Sequence, residues 1–185
     1  MTPVWHDAPL DRLDWNGASP MVWRTEDPGR GRRAPLAEAL VARLAGGPVR
    51  LARSAMGAPQ VASPPGWYLG IAGRGGACLI AAARHPIAVD RETIDDAPPL
   101  WDMLTPAEAR DVRAAPDPSR AWLRRWTIKE AHAKLIGDPR RIAAETIETR
   151  LIDGQEATAR RGNERASHCW TRDAGGAIET VALWL

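Results

Sequence analysis

Trp126-Thr127-Ile128-Lys129-Glu130-Ala131-His132-Ala133-Lys134-Leu135-Ile136-Gly137 is the stretch on which the reading of this chain turns. It has the ends of a helix. Asp117-Pro118-Ser119 upstream supplies an N-cap and a proline at the first helical position, Gly137 stops the run, and Pro139 lies beyond it. Trp126, Glu130 and Lys134 fall at i, i+4 and i+8, a single stripe, with Lys129 one step round. A Glu–Lys pair at this spacing on a solvated face is worth a few tenths of a kcal/mol. That explains Glu130 and Lys134, but neither the tryptophan on the stripe nor the two lysines. The chain otherwise uses arginine for positive charge: Lys129 and Lys134 are its lysines among 25 lysine and arginine residues. A compact, mobile ammonium does what a rigid guanidinium fork does not, so a site needing it resists the swap.

Outward from this helix, Thr105-Pro106-Ala107-Glu108 opens a shorter one, with Thr105 as N-cap and Glu108 placed for a capping box. The middle of the chain predicts a three-stranded meander. Its runs are Trp67 to Ala72, Ala77 to Ala83 and Ile87 to Glu92, with the turn Gly73-Arg74-Gly75-Gly76 between the first two. Residues 146 to 185 predict strands, the last hairpin turning at Asp173-Ala174-Gly175-Gly176. A helix is expected over 35–45 and a strand over 49–53, whereas residues 1–33 read as loop-rich. The order gives an α+β fold of antiparallel sheets, each carrying a helix.

Composition bounds the function. A chain of 185 residues is one domain or two small, closely packed halves. The net charge is +2 with acids and bases interspersed, which favours neither nucleic acid nor a membrane surface. Cys78 and Cys169 stand at no metal-ligand spacing, and no apolar run resembles a signal peptide or a bilayer span, so a cytoplasmic location is expected. With no Phe and one Tyr, aromatic core positions fall to nine tryptophans.

In Ile87-Ala88-Val89-Asp90-Arg91-Glu92, strand alternation puts Asp90 and Glu92 on the face of Ala88. At about 3.3 Å per residue their bases stand roughly 6.6 Å apart. Two readings stay open: charged residues of an exposed strand end, or ligands for one hard cation. If the Glu130 stripe packs against this face, three carboxylates meet in a plausible Mg²⁺ site, with Lys129 and Lys134 left for phosphate oxygens. Gly73 and Arg74 lie in a turn that either cradles a phosphate or only joins two strands. Arg30, Arg32 and Arg33 either hold an anion or are solvated. Glu108 is either a capping residue or a base.

The helical stretch closely resembles the W-x-x-K-E-A-x-x-K-x-x-G signature of the 4′-phosphopantetheinyl transferases. Ile87 to Glu92 resembles that family's G-[IV]-D-x-E strand, and Met56-Gly57-Ala58-Pro59 its G-K-P loop. The resemblance implies Mg²⁺-dependent (Mn²⁺ also possible) transfer of the phosphopantetheine arm of coenzyme A to a serine of an acyl or peptidyl carrier protein, releasing 3′,5′-ADP. It makes Asp90, Glu92 and Glu130 the metal ligands. Glu130, Lys129, Lys134 and Glu108 become the catalytic set, with the base open between Glu108, Glu92 and a metal-bound water. Lys129, Lys134, Arg74, Gly73 and Arg53 become coenzyme A contacts. The length suggests the surfactin-type branch: a monomer of two similar halves related by a pseudo-twofold, residues 1–89 on the nucleotide side and 90–185 carrying the metal and the long helix. Departures cluster: Ala72-Gly73 stands where the family has Ser-His, Ala58 replaces the lysine of G-K-P, and Ala88 replaces a glycine. Two rivals follow: a non-catalytic member of the fold, and a carboxylate–metal nuclease or phosphohydrolase.

Overall fold

The structure is a computed structural model describing residues 1–15, 17–95, 97–137, 139 and 141–185. The chain divides into two compact units, Met1–Val89 and Asp90–Leu185. In the first, strands β1 (Val4–His6), β2 (Met21–Glu26), β5 (Tyr68–Arg74) and β6 (Ala77–Ala83) form a sheet in the order β1-β2-β6-β5. β3 (Arg50–Arg53) and β4 (Pro59–Ser63) make a separate two-stranded ribbon. Helix α1 (Arg33–Ala45) lays Ala37, Leu40 and Val41 against Met21 and Trp23 of β2 and Cys78, Ile80 and Ala82 of β6. The β5–β6 turn places Gly75 and Gly76 at φ of 60° and 76°, a backbone that a two-residue hairpin demands and glycine adopts without strain.

The second sheet runs in the order β7-β11-β10-β9-β8, from β7 (Ile87–Thr93), β8 (Ile147–Leu151), β9 (Glu156–Arg161), β10 (Ser167–Ala174) and β11 (Ala177–Trp184). Helix α2 (Pro106–Ala114) begins with both halves of its capping box formed, Thr105 Oγ1 accepting from the Glu108 N–H and Glu108 from the Thr105 N–H. Helix α3 (Pro118–Ile136) is capped by Asp117 and ends at Gly137 with φ of 102°. Its Ile128, Ala131 and Ala133 pack with Ile147, Ala157, Ala159, Cys169 and Ala182 of the sheet. The alanines let the helix sit close. Trp122 joins Leu104, Ala109 and Val112 and ties α3 to α2.

The meander expected over residues 67–92 does not form. β5 and β6 do pair, but β6 takes β2 as its other neighbour and β7 joins β11. β2 lies in the segment read as loop-rich; its fully buried Met21 and Val22 and nearly buried Trp23 fill the place assigned to β7. In each sheet an early strand pairs with the last one, β2 with β6 and β7 with β11, and the last strand's other neighbour is its hairpin partner, β5 or β10. The early-to-last pairings are far apart in sequence and leave no local signal.

Candidate active site

β7 and α3 bring together Asp90, Glu130 and Lys134. The Lys134 Nζ donates to Asp90 Oδ1 at 2.6 Å. Asp90 is 4 % exposed, and its other oxygen, Oδ2, is buried with no donor among the described residues. Glu130 likewise has no hydrogen-bond partner among the described residues, and its pKa is raised. Burial is the largest cause and the Asp90 charge the next; Lys134 opposes, and Glu92 adds to the rise. The charges of Asp90 and Glu92 therefore both reach Glu130. Leaving a buried carboxylate oxygen without a donor is costly.

That orphaned oxygen is the observation that fits a cation, and an all-carboxylate donor set suits a hard one such as Mg²⁺. Among the described residues, no group of three or more His, Cys, Asp or Glu side chains is already gathered into a ligand cage. Mg²⁺ does not require one, because it keeps waters and takes phosphate oxygens for most of its shell.

The neighbouring residue on α3 behaves differently. Lys129 is 1 % exposed, and its three donors all have partners. They go to Glu108 Oε2 at 2.7 Å, the Ile147 carbonyl at 2.6 Å and the Ala144 carbonyl at 3.0 Å. Glu108 is as well satisfied: Oε1 accepts from the N–H and hydroxyl of Thr149 at 2.7 and 2.5 Å, and Oε2 from the Thr105 N–H at 2.8 Å. Burial pushes the Glu108 pKa up, but the bonds from Lys129, Thr149 and Thr105 outweigh it and hold the carboxyl below its ordinary value. Burial pulls the Lys129 pKa down against the pull of Glu108. The charges acting on Lys129 are Glu108, Arg125 and Glu145, whereas those acting on Glu130 are Asp90, Lys134 and Glu92. The two sets share no member. Lys129 and Glu108 are thus hydrogen-bonded to each other and to Thr105, Thr149, Ile147 and Ala144, with no bond to Asp90 or Glu130 among the described residues.

A family model of the 4′-phosphopantetheinyl transferase superfamily matches residues 86–182, more than half of the chain and all of both clusters. The chain belongs to that superfamily. No individual curated protein matches it. Members of that superfamily are transferases that in general use coenzyme A as co-substrate and act on carrier proteins.

The remaining candidates lie in the first unit, outside the matched segment. Arg53 is exposed and donates to the Gly57 carbonyl at 2.8 Å within the β3–β4 hairpin. Arg74 is exposed at the end of β5. Gly73 is covered by Arg33, whose guanidinium occupies the space that a Cβ would need. Arg33 also donates to the Gly73 carbonyl at 3.1 Å and grips both oxygens of Asp27 at 2.9 and 2.5 Å. A serine or histidine at position 73 would displace it. Sequence reasoning placed Arg33 in a loose basic cluster; its pairing with Asp27, six residues away, was the missed signal. Trp126 packs against Trp122 with the rings tilted by 34° and centroids 5.5 Å apart, and belongs to the α2–α3 packing. A cavity of about 360 Å³ is lined by Glu108, Asp111, Arg125, Thr149 and Arg150, on the Lys129 side of the helix. Its lining includes none of Asp90, Glu92, Glu130 or Lys134.

Proposed function

We propose that this transferase moves the 4′-phosphopantetheine arm of coenzyme A onto a serine of an acyl or peptidyl carrier protein, with Mg²⁺ held by Asp90, Glu92 and Glu130. Mn²⁺ is the natural substitute. The observation that carries the reading is the pairing of an orphaned Asp90 oxygen with an unpartnered Glu130, next to Lys134 and inside the matched segment. The serine oxygen forms a bond to the phosphorus that bears the pantetheine arm, the bond to the other phosphate breaks, and 3′,5′-ADP leaves with its electron pair. The bound cation supplies positive charge against the pyrophosphate. Lys134 orients Asp90 and, 29 % exposed, adds a mobile positive charge at the mouth of the site. Glu108 has no oxygen free of hydrogen bonds to take the serine proton, which leaves that role to Glu92 or a metal-bound water.

On this reading the first unit, residues 1–89, faces the nucleotide. Arg74, Gly73 and Arg53 remain its contact residues, and Arg33 stands over Gly73 where the family carries an imidazole. A unit of this size preceding the matched segment supports the surfactin-type, monomeric branch, which light scattering of the purified protein checks. The test of the reaction is intact-protein mass spectrometry of apo carrier proteins incubated with the enzyme, coenzyme A and Mg²⁺. The expected result is a gain of one phosphopantetheine arm, lost with EDTA and in Glu130→Gln. No gain on any carrier from a folded enzyme supports the non-catalytic reading, and the absent Ser-His pair would be its cause.

A further inference from the structure

β8 is the last strand of its sheet, with no strand on its outer side among the described residues. Its outward backbone groups are nonetheless met one after another. Lys129 donates to the Ile147 carbonyl. Arg125, 4 % exposed, donates to the Thr149 carbonyl at 2.9 Å and the Thr149 hydroxyl at 2.7 Å, and Glu108 accepts from the Thr149 N–H. Arg125 and Lys129 stand at i and i+4 on α3, about 6 Å apart along the axis. Residues 147 and 149 stand about 6.7 Å apart along the strand. The two spacings match, so a turn of helix engages two successive outward carbonyls, and Glu108 from α2 fills the donor between them.

We propose that Lys129, Glu108 and Arg125 act as a surrogate strand along β8, and that this clamp sets the rotation of α3 that holds Glu130 and Lys134 at Asp90. Lys129 and Glu108 are then positioning residues that touch neither coenzyme A nor the carrier serine. Glu130 follows Lys129 directly, 100° further round the helix, so fixing one side chain on β8 fixes where the other points. The same geometry explains the retained lysine: three donors diverging from one buried nitrogen meet a carboxylate and two carbonyls, an arrangement that a planar guanidinium in a filled slot does not reproduce. The inference rests on Asp90 and Glu130 binding the metal.

The test compares wild type with Lys129→Met, Lys129→Arg and Glu108→Gln. Two quantities besides transfer are read: amide hydrogen exchange at Thr149, and Mn²⁺ affinity by electron paramagnetic resonance with coenzyme A present. The clamp requires a slowly exchanging Thr149 amide in wild type and a fast one in the variants. It requires Mn²⁺ affinity to fall about ten- to a hundredfold in the variants, as for residues that orient metal ligands, with kcat falling in step and the KM for coenzyme A unchanged. Glu108→Gln, nearly isosteric, carries the test if the Lys129 variants fail to fold. Wild-type Mn²⁺ affinity in Lys129→Arg, or a raised KM for coenzyme A with Mn²⁺ affinity intact in Lys129→Met, overturns the proposal and returns Lys129 to the phosphates. A wild type that binds no Mn²⁺ removes the metal reading and the positioning role with it. A wild type that binds Mn²⁺ with variants that bind it equally well overturns the clamp alone.

Discussion

One helix carries two carboxylate–lysine clusters, one residue apart, and they are opposites. Around Glu108 and Lys129 every acceptor and donor is met, and both residues are nearly inaccessible. Around Asp90, Glu130 and Lys134 a buried oxygen lacks a donor, and burial first and the Asp90 charge next raise the Glu130 pKa. A satisfied buried network holds a fold in one arrangement, whereas an unsatisfied one is a cost that only a ligand removes. The contrast separates structure from chemistry where residue types do not.

The sharpest break of this contrast is a pair of single substitutions. Glu130→Gln is expected to lower transfer by about 10²–10³-fold or more. Its metal-free melting temperature should stay level or rise, because a carboxylate repelled by Asp90 and Glu92 is gone. A melting temperature that falls with the activity would make Glu130 structural. Lys129→Met should do the reverse in a denaturant titration, costing about 3–5 kcal/mol because it leaves Glu108 charged and buried without its partner. Lys134→Met should cost less stability than Lys129→Met, since Lys134 is partly exposed, yet lose more transfer.

His132 lies between the extremes and sharpens the rule. Its Nδ1 is 2.7 Å from the Ser167 hydroxyl, while its buried Nε2 has no partner among the described residues. Burial lowers its pKa to about 4 from an ordinary 6.5; Glu164 pulls it up and Arg161 down. Between these values the unfolded chain binds a proton that the folded one refuses. Stability is therefore full above about 6.5 and falls as pH drops toward 4, with a slope of at most about 1.4 kcal/mol per pH unit from this group. Unfolding titrations across that range should show the slope, and His132→Gln should flatten it; an equal slope in both would assign the loss to other groups. The smallest effect belongs to Gly73→Ala, where Arg33 can swing aside. About 1 kcal/mol of stability and a modest change in coenzyme A affinity by calorimetry are expected.

The helices and the existence of most strands were legible because their signals are local. Thr105 and Glu108 form the capping box that their spacing predicts, and Gly137 ends α3 where the sequence stops it. The hairpin partners were legible from their glycine turns, β5 with β6 and β10 with β11. The long-range partners were not, and β2 was missed because Met21-Val22-Trp23 is a short apolar run behind a proline. At the site, periodicity put Asp90 and Glu92 on one strand face and Glu130 and Lys134 on one helix stripe, and left the meeting of the two as a condition. The ion pair of Lys134 with Asp90 at 2.6 Å was not foreseen, since the lysine was assigned to phosphate oxygens. The same periodicity set Lys129 one step round from Glu130 but carried no sign of its burial. Its partners include two carbonyl oxygens, and backbone groups leave no trace in residue identity.

The covered margin of β8 also bears on how copies of this protein behave toward one another. An open sheet edge offers its amides and carbonyls to any strand that drifts past, and crowded chains exploit such edges to stack. Here the outward groups of Ile147 and Thr149 are engaged by ionised side chains. Losing Lys129 would therefore uncover a templating surface, and precipitation on standing would accompany the loss of activity.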